Sequence, residues 1–178
     1  TNSVELWFQN TRDFSENILT GYLFSVGGAS AFNAIGIGGN EGSVASPGEI
    51  FYFDGSTVRK TGDILASDTW YSLTLVVSGG GSDVGIYLNG SLVGSFGSSN
   101  LPDSNNFVLG ARYGSSSVSW PFQGSIDQVS IYNYALTSTD VTEHWIAANT
   151  VPEPTSYALA IAGVGMLLLR RSYRAKRQ

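Results

Sequence analysis

Two antiparallel β-sheets packed face to face are what this sequence predicts, and three observations predict them. Glycine supplies 22 of 178 residues, beside 9 tyrosines, 9 phenylalanines and 4 tryptophans. Only 13% of residues are charged, a composition that suits short strands joined by tight turns better than a helical bundle. Apolar runs of strand length recur with turn chemistry between them. The length suits one domain with a substantial core.

The elements follow in chain order. "VELWF" sets Val4, Leu6 and Phe8 on one face and Glu5 and Trp7 on the other, as a half-buried strand requires. "IFYFDGSTVR" carries Asp54-Gly55 between apolar runs, a short-range hairpin signal. "TWYSLTLVV" is a long apolar strand closed by the loop from Ser78 to Asp83. In "VGIYLNGSLVGSF" the pair Asn89-Gly90 fits a type I′ turn, whose two central residues need positive φ. "NFVLGARY" and "SIDQVSIY" complete the strands. One helix is predicted in "TSTDVTEHWIAAN", where Thr137 can cap and Asp140 stands at the third helical position.

Charge divides the chain at Val151. Residues 1–151 hold 13 acidic side chains against Arg12, Arg59, Lys60 and Arg112, whereas residues 152–178 hold five basic side chains against Glu153. The acidic body repels phosphate and its few bases are scattered, which excludes nucleic-acid binding. The absence of cysteine excludes a disulfide framework, a thiol nucleophile and thiolate metal sites. Thr1 is not an initiator methionine and no secretory leader precedes it, so we expect a processed product or, preferably, a fragment.

The tail reads as a separate membrane module. Tyr157 to Leu169 carries no charge, and as a helix it would be roughly 20 Å long against a bilayer core of about 30 Å. Snorkelling of Arg170 and Arg171 narrows the deficit. A buried core helix is the alternative on length alone, but a helix apolar all round has no polar face to show water. Pro152 and Pro154 break any structure joining it to the body. The basic cluster should stay cytoplasmic, which puts the acidic body outside. The order Val151-Pro152-Glu153-Pro154, apolar stretch, Arg170-Arg171 resembles the PEP-CTERM sorting signal of Gram-negative bacteria. That resemblance implies export, transient anchoring in the inner membrane through residues 157–169, recognition of Pro152, Glu153 and Pro154 by an exosortase, and delivery to the cell surface or extracellular matrix.

The body resembles a LamG-like domain of the concanavalin A-like lectin/glucanase type, through "VELWF", "DTWYSLTLVV", "GIYLNGSLVG" and above all "FQGSIDQVSIYNYALTSTDV". The resemblance implies a jelly-roll sandwich over residues 1–149, lacking the strand that such domains usually place before the "VELWF" equivalent. An unpaired sheet edge would follow. Residues 150–156 then form a Pro-rich linker and sorting motif, 157–169 a transmembrane helix and 170–178 a basic cytoplasmic tail.

Site chemistry argues against an enzyme. Retaining glycoside hydrolases on this fold typically carry a Glu-x-Asp-x-Glu strand, and none occurs; the six glutamates, Glu5, Glu16, Glu41, Glu49, Glu143 and Glu153, are scattered. His144, the only histidine, reads as a solvated helix residue. Asp127 shares strand parity with Val129 and Ile131, which would point its carboxylate to the core. It is a candidate calcium ligand or, on the reading we favour, a structural aspartate turned by a bulge or bonded to backbone N–H groups. For ligand binding the loop "ARYGSSSVSWPFQG" offers Arg112, Tyr113 and Trp120, able to stack on a sugar or anchor a protein; ordinary packing is the plainer alternative. The expectation is a non-catalytic glycan- or protein-binding module at the cell surface that requires no cofactor. The alternatives are a matrix protein without a specific ligand and, third, a lectin-fold hydrolase with two carboxyl groups about 5–9.5 Å apart.

Overall fold

Apolar side chains on one face of each strand must find a second layer, and the chain supplies it by returning on itself. The computed structural model describes residues 2–13, 21–28, 32–40, 44–80, 83–97, 106–113 and 117–150. Their strands are β1 (Asn2–Asn10), β2 (Gly21–Gly27), β3 (Phe32–Ile37), β4 (Glu49–Phe53), β5 (Val58–Ile64), β6 (Trp70–Ser78), β7 (Asp83–Leu88), β8 (Ser91–Gly97), β9 (Phe107–Leu109), β10 (Arg112–Tyr113), β11 (Val118–Ser119) and β12 (Gly124–Tyr132). One helix follows, α1 (Ser138–Thr150).

Two five-stranded sheets form, here called the front sheet, in the order β12-β1-β6-β7-β8, and the back sheet, in the order β5-β4-β3-β2-β9. All their pairings are antiparallel. Between them lies the main core: Leu6, Phe8, Leu73 and Ile86 from the front sheet against Leu23, Phe24, Ile35, Ile50 and Tyr52 from the back. Each such side chain contributes about 1.5–3 kcal/mol by leaving water. The antiparallel sandwich expected from the sequence is therefore present, with two more central strands, β2 and β3, than the quoted runs contained.

Turn chemistry fixes the hairpins. Asn89 and Gly90 adopt φ of 50° and 76° between β7 and β8, as a two-residue type I′ turn demands. Between β4 and β5 the Asp54 carboxylate organises the turn, accepting from the Ser56 N–H at 3.0 Å, the Thr57 N–H at 2.7 Å and Arg59 Nε at 3.0 Å. At α1 the Asp140 carboxylate accepts from the Thr137 N–H and hydroxyl while the Asp140 N–H donates to Thr137 Oγ1, a reciprocal cap. Those Thr137 bonds hold the Asp140 carboxyl below the usual range.

Contacts divide the chain into two units, Thr1–Trp145 and Ile146–Gln178. In the second, the described residues are the end of α1, where the Thr150 hydroxyl donates to the Ile146 carbonyl. Among the described residues no helix is long and apolar enough to cross a membrane. The expected sorting motif, membrane span 157–169 and basic tail 170–178 lie outside the described residues.

Burial alone would raise the Asp54 pKa, but the bonds from Thr57, Ser56 and Arg59 outweigh it and hold the carboxyl below the usual range. The carboxylate's contribution is thus fully present above the unfolded value of about 3.9 and is lost as pH falls through the lower folded value. Asp54→Asn should cost about 1 kcal/mol at neutral pH. In denaturant titrations its deficit should shrink as pH drops below about 4.

Candidate functional site

The segment after β9 is mounted on β2 by backbone bonds along its whole base. Gly110 N–H donates to the Leu23 carbonyl at 2.7 Å, Phe122 N–H to the Gly110 carbonyl at 2.8 Å and Tyr22 N–H to the Trp120 carbonyl at 3.2 Å. The Ser25 hydroxyl reaches the Ala111 carbonyl at 3.3 Å, and Tyr22 and Pro121 form a parallel bridge. Gly21 permits the approach, since a Cβ there would lie 3.0 Å from Phe122 Cα. From this base β10 and β11 project as a short hairpin, pairing Arg112 with Ser119 and Tyr113 with Val118. What the sequence suggested was a loop is thus a held hairpin, and Trp120 ends it at φ 58°, a left-handed conformation uncommon for so bulky a residue.

The hairpin stands beside an aromatic surface on the face of the back sheet turned away from the core. Tyr22 meets both Phe32 and Phe51 edge to face there, and the Phe32 and Phe53 ring centroids lie 4.8 Å apart. Ala34, Ala45 and Trp120 pack against the same cluster. Over it the Arg112 guanidinium sits 4.7 Å from the Phe32 ring, 5.8 Å from Tyr22 and 6.0 Å from Trp120. Its Nε is buried without a hydrogen-bond partner, and among the described residues Arg112 enters no ion pair. Burial raises the Tyr22 pKa, and the hydrogen bond and charge of Arg112 act against that rise. An aromatic floor crossed by an unpaired cation can stack an apolar ring face and donate fork-like bonds to an anion.

Of the three residues expected in this region, the structure brings Arg112 and Trp120 together. Tyr113, its neighbour in β10, projects to the opposite face of the hairpin. Tyr22, Phe32 and Phe53 were not among the expected site residues. Their signal was present as aromatics in "GYLFSVG", "FNAIGIGG" and "IFYF", but it becomes a site only when those runs are recognised as neighbouring strands.

Asp127 does not point to the core. Ile126 opposes Phe8 and Asp127 opposes Trp7, after which the register shifts so that Ile131 opposes Val4. One extra residue is accommodated by Gln128, at φ 49°, and this bulge turns Asp127 to the outer face. There it is exposed, accepting from the Gln128 N–H at 2.8 Å. Among the described residues no three acidic or histidine side chains gather as a metal site. Two of the six glutamates are tied into structure: Glu5 accepts from Thr74 and Tyr132, and Glu49 from the N–H groups of Ser46 and Gly62. His144 is not simply solvated; its Nδ1 lies 3.0 Å from Glu5 and its ring stacks at 6.1 Å on Tyr132, docking α1 to the front sheet.

Known proteins place this geometry. The family profile Laminin_G_3, described as the concanavalin A-like lectin/glucanases superfamily, matches residues 1–142. No curated protein matches the sequence. Among solved structures, a candidate carbohydrate-binding protein from Bacteroides ovatus superposes with a TM-score of 0.64 at 18% identity, over 80% of this chain and 40% of that one. The CBM40 of the Ruminococcus gnavus IT-sialidase, bound to α2,3-sialyllactose, gives 0.63 at 16% identity over 80% and 81%. Domain 4 of an extracellular arabinanase from Geobacillus stearothermophilus, in complex with arabinotriose, gives 0.56 at 23% identity over 80% and 65%. At these identities the likeness establishes the fold, and the chain spans less than half of the Bacteroides protein.

The bulge makes its own test. Gln128→Gly relieves a left-handed residue and should stabilise the protein by about 0.5–1 kcal/mol, read as a higher denaturant midpoint. Gln128→Val, β-branched at the same φ, should lower that midpoint.

Proposed function

Starting from a chain that belongs to the Laminin_G_3 family of the concanavalin A-like lectin/glucanases superfamily, we propose that its sandwich is a non-catalytic module that binds a glycan at the Arg112 hairpin. The observation that carries this reading is the guanidinium held among three aromatic rings without an ion-pair partner among the described residues. In a body with 13 acidic side chains to four basic ones, a cation that pairs with none of the described carboxylates is suited to an external anion. A sugar carboxylate suits it, because Arg can meet a carboxylate with two parallel hydrogen bonds while the sugar ring packs on Trp120 or Phe32. The module of the Ruminococcus enzyme bound to sialyllactose is consistent with an acidic sugar.

Catalysis is no part of the reading. Glu5, Glu49 and Asp54 are each held by several hydrogen bonds that a reacting carboxylate would have to give up. No cofactor is required, and calcium would need ligands beyond Asp127. Export completes the proposal: the PEP-CTERM-like tail would anchor the chain in the inner membrane until an exosortase acts near Pro152, Glu153 and Pro154, releasing the module to the surface or matrix of a Gram-negative cell. A matrix protein without a specific ligand is the competing reading.

Two measurements test these parts. Titration of 3′-sialyllactose against lactose by calorimetry should give saturable binding of the acidic sugar, weakened about tenfold or more by Arg112→Ala or Trp120→Ala. Absence of saturable binding across an array of acidic and neutral glycans would favour the matrix reading. For export, mass spectrometry after expression in a host with an exosortase should find a species ending near Pro154 in the envelope or medium; only intact chain ending at Gln178 in membranes would overturn the sorting signal.

A further inference from the structure

None of the four tryptophans enters the core. The largest fully buried side chains are Tyr52, three phenylalanines, leucines, isoleucines and valines. Trp120 belongs to the hairpin site and Trp145 packs over Gly90. Trp7 and Trp70 remain to be explained, and they stand on the outer face of the front sheet.

That face is divided in two. Over one half lies the segment leading into α1: Leu136 and Val141 bury Val76, and His144 and Tyr132 engage Glu5. Among the described residues no element packs over the other half. Register places Asp127 beside Trp7 and Trp7 beside Ser72 in one row, and Ser125 beside Gln9 and Gln9 beside Trp70 in the next. These six residues make a patch about 10 Å by 7 Å from Cα to Cα, with the two indoles at diagonal positions. Trp70 is 42% exposed, Trp7 is half-buried, and Ser125 and Asp127 are exposed. Gln9 Nε2 is held by the Asp68 carbonyl at 2.9 Å, which fixes one side of the patch. Among the described residues neither indole N–H has a hydrogen-bond partner, and that of half-buried Trp7 is not a buried unsatisfied atom. The Asp127 oxygen not bonded to Gln128 is likewise uncommitted among the described residues.

We infer that this patch is a second carbohydrate site, separate from the Arg112 hairpin and selective for neutral sugars. Indole faces cover the apolar face of a pyranose, indole N–H groups donate to its hydroxyls, and the Asp127 carboxylate accepts from them. The same carboxylate repels an anionic sugar, the opposite preference from an unpaired arginine. A cationic ligand is disfavoured because a flat sheet has no walls to close a cage around it. Two indoles set diagonally across neighbouring strands suit successive rings of a chain lying along the sheet. The bulge at Gln128 has its use here: with regular alternation Asp127 would face the core, and the extra residue delivers it to the side of Trp7. This inference does not rest on the hairpin reading.

The four tryptophans are four reporters. The full 178-residue chain, labelled with 5-fluorotryptophan in a sugar-free zwitterionic detergent, would give four fluorine resonances, assigned by single Trp→Phe variants. Titration with cellohexaose, mannohexaose and maltohexaose should move the Trp7 and Trp70 signals saturably for at least one, with Trp120 still. Trp70→Ala and Asp127→Ala, both at exposed positions, should each weaken that binding about tenfold, and Arg112→Ala should leave it unchanged. No saturable movement of Trp7 and Trp70 with any of the three, or binding untouched by both platform variants, would overturn the site. A response of Trp120 to 3′-sialyllactose, with Trp7 and Trp70 still in the presence of all three neutral hexaoses, would leave the hairpin reading standing while refuting this one.

Discussion

Everything in this protein is subordinate to keeping one face of each sheet apolar against the other. Leu6 and Phe8, Leu73 and Leu75, Leu23 and Phe24, Ile35, Ile50 and Tyr52 close a single core, and strand alternation commits each strand's remaining side chains to the outside. Where alternation alone would fail, a register shift corrects it. In β2 the shift between Tyr22 and Phe24 lets Leu23 and Phe24 both join the core while Tyr22 faces out. In β12 the shift at Gln128 keeps Ile126 packed on the core while Asp127 faces away; Ile131, opposite Val4, is 60% exposed at this edge strand. Surface chemistry in both places is a consequence of core geometry.

This explains what could be read in the sequence. "VELWF" alternates because β1 has a buried core face and a mixed outer one, and Asn89-Gly90 announces its turn because few residues accept two positive φ angles. Thr137 and Asp140 gave away the start of α1 by spacing alone. By contrast β2 is buried along nearly its whole length on both faces, so "GYLFSVG" lacks the alternation that marks a half-covered strand. The hairpin of β10 and β11 was hidden differently, since two-residue strands carry no period. Parity alone would send Asp127 to the core, because it counts residues and cannot see the one that a bulge removes from the count; the bulge that the sequence reading preferred for Asp127 is what β12 contains.

The candidate sites were legible in proportion to how local they are. Arg112 and Trp120 sit eight residues apart in one loop-like run, and their chemistry suggested binding before their geometry was known. Their floor joins Phe53, from the quoted run of β4, to Tyr22 and Phe32 from two strands the sequence did not reveal. The patch of Trp7, Trp70 and Asp127 gathers residues from three distant parts of the chain, and only the pairing of β1 with both β6 and β12 joins them.

The two surfaces differ in polarity, and that difference follows from which ions the fold leaves unpaired. Asp54 takes Arg59, and Glu5 takes His144, so the charged groups near the core are consumed internally. Arg112 survives as a cation among aromatic rings, and Asp127 as an anion beside an indole. On the two proposed readings a ligand with a carboxylate would be attracted at the first and repelled at the second, and a neutral sugar would be taken by the indoles of the second. The two preferences are written on opposite sheets, so one glycan chain need not compete with the other for the same surface. Such a module would join an acidic terminus to a neutral polymer, and joining unlike surfaces is a role a sandwich can perform without a catalytic residue.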